Sequence, residues 1–222
     1  MVVGISEYEE QPNLPSAKAD AIAVSGAFSK IGIEVQSVLN PTLEELTKVV
    51  KEFSAETKAD DQIVYYYSGH GVNTNIVPKD ALSNDIENST LSLNSLFHDL
   101  SSQSPSQGIF IFDSMFSRHP TDSSLDFVGN TENDYAILIA SGSGEAAYSS
   151  SDLGHGAFTF ALLENIAKYA KQKPKQNVSI DEFFHDISQD MRLQNSNFSQ
   201  NPVLISYARS PILIFSSEET RD

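Results

Sequence analysis

The amino-acid sequence predicts an α/β fold in which a mainly parallel central sheet carries helices on both faces. Short apolar runs typical of buried strands alternate along the chain with amphipathic helical windows. The 222 residues are 40% hydrophobic, which is enough for one sizeable core, so we expect a single domain spanning residues 1–222. The 11 glycines and nine prolines are spread without biased tracts or internal repeats, which argues against a disordered or repetitive protein.

The first half of the chain contains three predicted strands and two predicted helices. Residues 16–31 form an amphipathic helix, and Gly32 follows it where a left-handed C-terminal cap belongs. Residues 42–45 read Thr-Leu-Glu-Glu, a capping box that opens the second helix. The predicted strands are residues 2–5, 33–38 and 62–67. Because the first strand lies at the very start of the chain, we expect part of it to be missing from a trimmed domain.

The second half of the chain continues the same alternation. A short helix at residues 93–100 precedes the fourth strand, and a polar stretch at residues 114–133 follows that strand. The stretch is long enough to be a functional loop. The predicted strands of this half are residues 108–112, 135–140, 203–207 and 212–215. The predicted later helices are residues 158–170 and one capped by residues 179–182.

The formal net charge of −16 limits the partners of this chain. Nucleic acid and anionic membranes are bound by clustered Lys and Arg, so we expect neither as a partner. The negative charge would attract basic peptides or basic protein segments. An acidic surface that only maintains solubility is the alternative explanation of the same charge. The sequence has no cysteine and no apolar run approaching about 18 residues, so we expect neither a signal peptide nor a membrane span. We therefore expect a cytoplasmic protein.

A glycine-flanked histidine is the most informative local feature. Residues 68–71, Ser-Gly-His-Gly, directly follow the apolar run at residues 63–67. Ligands of open parallel sheets collect at the carboxyl ends of the strands, where a second polar cluster at residues 113–117 is also expected. His70 could act there as a base, and the Gly71 amide could bind a developing oxyanion. A glycine-rich turn carrying a surface histidine is the alternative.

Seven ordered segments, spread over nearly the whole chain, resemble the caspase/metacaspase family of cysteine peptidases. They include the histidine motif at residues 66–71 and Ile-Phe-Asp-Ser-Met-Phe-Ser at residues 111–117, where the family carries its cysteine. The segments are residues 3–8, 19–21, 66–71, 77–80, 111–117, 140–148 and 154–164. The last two resemble bacterial members especially closely. The resemblance implies a caspase-like three-layer α/β/α sandwich.

The nucleophile that this resemblance implies is absent. Met115 stands at the family's cysteine position, and the chain contains no cysteine at all. A thioether has no proton to lose and cannot form a thioester, so the covalent route is closed. The resemblance makes His70 the base or electrostatic partner and directs the amides of Gly71 and Met115 at the oxyanion. Ser114 and Ser117 lie close by, but neighbouring residues at a strand exit point in different directions, so we expect neither to replace the cysteine.

Resemblance to metacaspases also implies an acidic pocket for substrate. Asp20 and Asp113 would line it, with Ser68 beside them, and the pocket would suit an Arg or Lys side chain. The alternative interpretation makes Asp20 a solvated helix residue and Asp113 a turn former at the strand end. Some relatives bind calcium through clustered aspartates, and no other cofactor is expected. The calcium candidates are Asp80 with Asp85, and Asp122 with Asp126.

The remaining histidines and the polar stretch give weaker predictions. His119 is expected to be a loop histidine or a second base. Three further histidines are expected to be structural or surface groups: His98, His155 and His185. Arg118 is the only Lys or Arg in residues 114–133, so self-cleavage after a basic residue is expected nowhere else in that stretch.

Three functions are consistent with these observations. The one we favour is an inactive caspase-like pseudopeptidase that binds a peptide or protein segment with basic residues, within a larger signalling, cell-death or defence assembly. The alternative from the enzyme class is the inactivated form of a cysteine endopeptidase that cleaves after Arg or Lys. The third is a structural module whose clefts hold no ligand. An otherwise intact motif set around Met115 favours the first.

Overall fold

The computed structural model describes residues 1–116, 134–142, 149–150, 154–172, 177–194 and 200–215. Its helices are α1 (Pro15–Lys30), α2 (Leu43–Glu56), α3 (Leu93–Leu100), α4 (Ala157–Gln172) and α5 (Ile180–Gln194). Its strands are β1 (Val2–Gly4), β2 (Ser37–Leu39), β3 (Gln62–Ser68), β4 (Gly71–Val72), β5 (Asn75–Ile76), β6 (Leu91–Ser92), β7 (Gln107–Asp113), β8 (Asp134–Ile139), β9 (Ser149–Ser150), β10 (His155–Gly156), β11 (Val178–Ser179), β12 (Val203–Ser206) and β13 (Leu213–Phe215).

The largest sheet has six strands in the order β12-β8-β7-β3-β1-β2. All neighbours in it are parallel except β12, which runs antiparallel to β8 at one edge. The prediction of a mainly parallel central sheet is therefore confirmed. The register of β3 on β7 pairs Ser68 with Asp113, so both strands end level at the same edge. Loops that leave this edge can therefore meet.

Helices cover both faces of the sheet, and the tyrosines of β3 show how the layers are filled. Tyr65 and Tyr67 point into the core shared with α2 and α3, whereas Tyr66 points into the core shared with α1, α4 and α5. Successive residues of a strand face opposite sides, and all three of these rings are fully buried. The arrangement is the three-layer α/β/α sandwich that the sequence predicts.

Helix α2 begins as predicted from its first residues. The Thr42 hydroxyl accepts a hydrogen bond from the Glu45 amide at 3.2 Å, and the Glu45 carboxylate accepts one from the Thr42 amide at 2.9 Å. This reciprocal capping box satisfies two donors that the first turn of a helix otherwise leaves without partners.

The structure differs from the prediction in the second strand. The sequence predicts residues 33–38, but β2 is Ser37–Leu39, because its partner β1 has only three residues to pair with. Ile33 and Val35 instead pack, partly buried, against the core on the α1 side.

Outside the main sheet, β13 confirms the strand predicted at residues 212–215, whereas its partner strand and the shortest strands are not predicted. Strand β13 pairs with β11 in a separate two-stranded sheet, and β4, β5 and β6 form a three-stranded sheet that the sequence does not predict. Strands of two residues are too short to give a periodic pattern. Within the described ranges, no helix is both long and apolar enough to cross a membrane.

Candidate functional site

The two polar clusters predicted at strand ends lie against each other. A methyl group placed on Gly71 would come within 2.6 Å of the Met115 carbonyl oxygen and 2.7 Å of the Ser114 hydroxyl. Only glycine permits this approach, because any larger residue would push the two segments apart. The level ends of β3 and β7 produce the contact, since His70 and Gly71 leave β3 while Ser114 and Met115 leave β7.

His70 is held at its backbone by two tyrosine hydroxyls. The Tyr8 hydroxyl accepts a hydrogen bond from the His70 amide at 2.8 Å, and the Tyr67 hydroxyl donates one to the His70 carbonyl at 2.7 Å. The Tyr8 hydroxyl in turn donates to the Ile5 carbonyl at 2.9 Å. Burial raises the pKa of Tyr8 to about 12, so this hydroxyl stays protonated and keeps its donor role.

The imidazole of His70 is oriented by two further contacts. Its Nε2 lies 2.7 Å from the Pro12 carbonyl oxygen, and its ring centroid lies 4.7 Å from that of Tyr8. A carbonyl oxygen can only accept, so Nε2 carries the proton and Nδ1 is the acceptor of the neutral ring. The contacts thus leave His70 with one basic nitrogen in a fixed orientation.

The Gly71 amide points away from the strand beside it. The His70 carbonyl accepts a hydrogen bond from the Val77 amide at 3.1 Å, so this carbonyl is directed toward the chain that follows β5. Across a trans peptide bond, the preceding carbonyl and the following N–H point in opposite directions. The Gly71 N–H is therefore directed away from this neighbour and can serve as a donor to a ligand atom.

Met115 and Ser114 differ sharply in their access to solvent. The Met115 side chain is 43% exposed, whereas Ser114 is 2% exposed. Within the described residues, the Ser114 hydroxyl has no hydrogen-bond partner. A hydroxyl that is this deeply buried cannot contact the carbonyl group of a peptide substrate. Ser117, Arg118 and His119 lie outside the described residues, as does most of the polar stretch at residues 114–133.

Asp20 lies in the interior of the fold rather than on the solvated face of α1. It is 1% exposed, and its Oδ2 accepts a hydrogen bond from the Ser68 hydroxyl at 3.0 Å. Its Oδ1 accepts from His155 Nδ1 at 2.9 Å and from the Gly156 amide at 3.2 Å. The interpretation of Asp20 as a solvated helix residue is therefore wrong for this structure.

Asp113 is also buried, at 6% exposure, and it joins the start of α4. Its Oδ2 accepts hydrogen bonds from the Thr159 amide at 3.2 Å and from the Thr159 hydroxyl at 2.5 Å. The Thr159 hydroxyl also lies 2.5 Å from the hydroxyl of Tyr66 on β3. Asp113 thus belongs to a buried polar network linking two strands and a helix.

Burial makes both carboxylates costly to ionise. Burial, and then the negative charge of Asp20, raise the pKa of Asp113 to about 7 from its ordinary 3.8. Burial also raises the pKa of Asp20, opposed by its hydrogen bonds to His155, Ser68 and Gly156. Among the described side chains, His155 is the only ion-pair partner given to either group. The pair is therefore short of positive charge.

Several residues of this site are not predicted from the sequence. Tyr8, Pro12 and Thr159 contact His70 or Asp113 from positions far away along the chain. A backbone carbonyl such as that of Pro12 leaves no signal in a sequence. For His155 the sequence predicts only a structural or surface group, and its contact with Asp20 is not foreseen. The ordered string Gly-His-Gly before α4, on a segment resembling the family, was the one signal that could have found it.

Of the candidate calcium ligands, the structure describes Asp80 and Asp85, and each carboxylate accepts a hydrogen bond from the chain itself. Asp80 accepts a hydrogen bond from the Leu43 amide at the start of α2, and Asp85 accepts one from the Asn88 side chain. Over the part of the chain that the structure describes, no three acidic or histidine side chains come together to hold a metal ion. Asp122 and Asp126 lie outside the described residues.

The family model described as the caspase domain matches residues 1–211. No curated protein matches the chain at a significant level. The family match spans nearly all of the sequence, including both strand ends that build the site.

Proposed function

The chain belongs to the caspase-domain family, and from that membership we propose that it is a catalytically inactive member that binds a peptide or protein segment through an Arg or Lys side chain. Binding, rather than cleavage, would be its contribution to a larger signalling, cell-death or defence assembly. We propose that this binding takes place in the cytoplasm.

The observation that carries the proposal is the side chain of Met115. By resemblance to the family, its position is that of the nucleophile, and it projects 43% exposed beside the loop that carries His70. A cysteine peptidase needs a thiolate to attack the peptide carbonyl and form a thioester. Methionine cannot supply one, and no cysteine exists elsewhere in the 222 residues. Loss of such a nucleophile lowers turnover by several orders of magnitude.

The electrostatics of the acidic pair support binding of a cationic side chain. Asp20 and Asp113 are both buried, and the charge of Asp20 makes Asp113 harder to ionise, while His155 is their one described ion-pair partner. A guanidinium or ammonium group would lower that cost by supplying the missing positive charge. The net charge of −16 would also attract basic segments from a distance.

A binding measurement tests the proposal directly. A fluorescently labelled peptide with one Arg, acetylated and amidated at its ends, is titrated with the wild-type chain and with Asp20→Asn. The same peptide with Asp in place of Arg is the control. We expect binding of the Arg peptide alone, weakened at least about tenfold by Asp20→Asn, because a charge-assisted hydrogen bond is lost. Equal binding of both peptides would contradict a cation-binding pocket.

Hydrolysis of fluorogenic Arg, Lys and Asp peptides tests the missing nucleophile. The wild-type chain is compared with Met115→Cys and with Met115→Cys combined with His70→Ala, with and without calcium. We expect cleavage of Arg or Lys substrates only by the single cysteine variant. Cleavage by the wild-type chain would contradict inactivity, and a Met115→Cys variant without activity would contradict the position assigned to the nucleophile.

The matched control for a newly introduced thiol is Ile22→Cys. Ile22 is 56% exposed on α1 and lies two residues after Asp20, about 200° around the helix and so on its opposite face. Its thiol is reachable by solvent but cannot meet His70. Cleavage by Ile22→Cys would show that any exposed thiol hydrolyses the substrate.

A further inference from the structure

The position expected for a ligand's cation is already filled by a side chain of the protein. His155 Nδ1 lies 2.9 Å from Asp20 Oδ1, which is the distance and geometry of a charge-assisted hydrogen bond. Asp20 also accepts hydrogen bonds from the Gly156 amide and the Ser68 hydroxyl. An incoming guanidinium would therefore find the Asp20 carboxylate occupied by three donors of the chain itself.

The local backbone is built to bring the imidazole to this place. His155 lies in β10, which pairs with β9 and leads directly into α4. Gly154 before it has φ of +66°, a conformation that other residues rarely adopt. A methyl group on Gly156 would overlap the Asp113 carboxylate, so only glycine lets this segment approach the acidic pair so closely. The two glycines therefore allow the backbone conformation on either side of His155 that brings this segment close to the acidic pair.

The imidazole can leave without unfolding the segment. The His155 side chain is 23% exposed, whereas Asp20 beneath it is 1% exposed. Rotation of one histidine side chain toward solvent would uncover Oδ1 of Asp20 while Gly156 and Thr159 keep their hydrogen bonds to the two carboxylates. Among the hydrogen bonds that described residues make to this oxygen, the one from His155 is the only one made by a side chain.

We propose that His155 is an internal occupant of the acidic pocket, which an Arg side chain of the ligand must displace. This inference rests on the proposed binding function and assigns it a regulatory residue. Displacement lowers affinity and favours ligands whose cation replaces the imidazole fully. Arginine does so better than lysine, because its planar guanidinium carries several N–H donors in a fixed geometry that matches a carboxylate.

Removal of the imidazole tests this inference. The labelled Arg peptide and its Lys counterpart are titrated with wild type, His155→Ala, His155→Gln and Asp20→Asn. We expect His155→Ala to tighten Arg-peptide binding about tenfold, since one charge-assisted contact no longer competes. His155→Gln should be intermediate, because its side-chain amide can still donate a hydrogen bond to Asp20 in place of the imidazole N–H. His185→Ala removes an exposed imidazole of α5 and should match wild type.

The outcomes separate this inference from the proposed function. Unchanged or weaker binding by His155→Ala, together with loss of binding by Asp20→Asn, would overturn the internal-occupant role and leave the binding function intact. If no variant and no wild-type chain binds either peptide, the binding function fails and this inference fails with it.

A measurement on the wild-type chain covers the case in which His155→Ala does not fold. The imidazole nitrogen signals of His155 are assigned in the ¹⁵N-labelled protein by their absence from His155→Gln. Saturation with the Arg peptide should shift these signals, because the ring leaves Asp20 for solvent. Bound peptide with unshifted His155 signals would overturn the inference.

Discussion

The carboxyl group of Asp113 makes the stability of the fold depend on pH. Its folded pKa of about 7 lies above the ordinary value of 3.8, so the folded chain holds a proton that the unfolded chain releases between these two values. The stabilisation is fully present below the lower value and is lost as pH rises through about 7. Asp20 is shifted in the same direction.

We expect Asp113→Asn to flatten this pH dependence. The neutral amide does not titrate, so the fall in unfolding free energy between about pH 4 and about pH 8 should shrink by a few kcal/mol. Urea unfolding of both proteins across this range measures the difference. Parallel curves for Asp113→Asn and wild type would show that Asp113 titrates alike in the folded and unfolded chains.

Gly71 and Gly26 form a matched pair for testing the contact between the two strand ends. A methyl group on Gly71 would meet backbone and side-chain atoms of residues 114–116 at 2.6 to 2.8 Å, whereas one on Gly26 in α1 would meet nothing within 4 Å. We expect Gly71→Ala to destabilise the fold by about 1–3 kcal/mol through overpacking. Gly26→Ala should stabilise it by about 0.5–1 kcal/mol through helix propensity.

Thermal or urea unfolding of the two alanine variants measures these effects. Equal changes in both would mean that the backbone at Gly71 can move away from Met115 at little cost. The His70 loop would then not be fixed by its contact with the segment that leaves β7.

Sequence reasoning selected His70, Gly71, Met115, Asp20 and Asp113, and these residues lie around two level strand ends. Each of these residues follows a strand or belongs to a motif, and such positions can be recognised in a sequence. The contacts that orient them cannot. The Tyr8 hydroxyl reaches His70 across 62 positions of the chain, and His155 reaches Asp20 across 135. Only the tertiary fold determines which distant groups meet.

The acidic pair connects the start of α4 to the sheet through Asp113 and to α1 through Asp20. Thr159 donates twice to Asp113, and the Gly156 amide donates to Asp20, so these carboxylates accept N–H groups that a helix leaves without partners at its first turn. A negative charge at this end also interacts favourably with the helix dipole. The same carboxylates therefore position an element as well as forming the candidate pocket.

We expect Thr159→Val to cost about 1–3 kcal/mol of unfolding free energy, because Asp113 loses a donor and the Tyr66 hydroxyl loses a partner in a buried network. Thr47→Val is the matched control. The hydroxyl of half-buried Thr47 donates a hydrogen bond to the Leu43 carbonyl of the same helix, α2. This variant should therefore change the unfolding free energy by less than about 0.5 kcal/mol.

Urea unfolding of both valine variants measures the difference, and hydrogen exchange of the α4 amides locates it. A Thr159→Val variant as stable as Thr47→Val would show that the network contributes nothing to holding α4.

Elements with a long periodic pattern were predictable, and short ones were not. The buried runs that become β3, β7 and β8 are each at least six residues long, and the Thr42 capping box marks α2. The sheet of β4, β5 and β6 escaped because each strand has two residues. The length of β2 escaped for another reason, since it is set by a partner strand rather than by its own sequence.

The net charge of −16 acts on the molecule as a whole. Mutual repulsion of its carboxylates opposes compaction, and the same field attracts a basic ligand; salt screens both effects. We therefore expect added salt to move stability and binding in opposite directions. Between about 0.02 M and about 0.2 M NaCl, the unfolding free energy should rise while Arg-peptide affinity falls several-fold.

Urea unfolding and peptide titration at the two salt concentrations test this expectation. An Arg-peptide affinity that is independent of salt would show that the overall field contributes nothing and that only short-range contacts hold the ligand.

The tyrosines of the central strand give the protein a built-in optical reporter. The chain has eight tyrosines and no tryptophan, so its ultraviolet emission comes from phenol rings alone. Burial keeps the pKa values of Tyr66 and Tyr67 well above the ordinary value, so both remain neutral phenols. The Tyr67 hydroxyl donates a hydrogen bond to the His70 carbonyl. The Tyr66 hydroxyl is hydrogen-bonded to Thr159, which in turn donates to Asp113. Rearrangement around either group should therefore change the intrinsic fluorescence of the unlabelled protein.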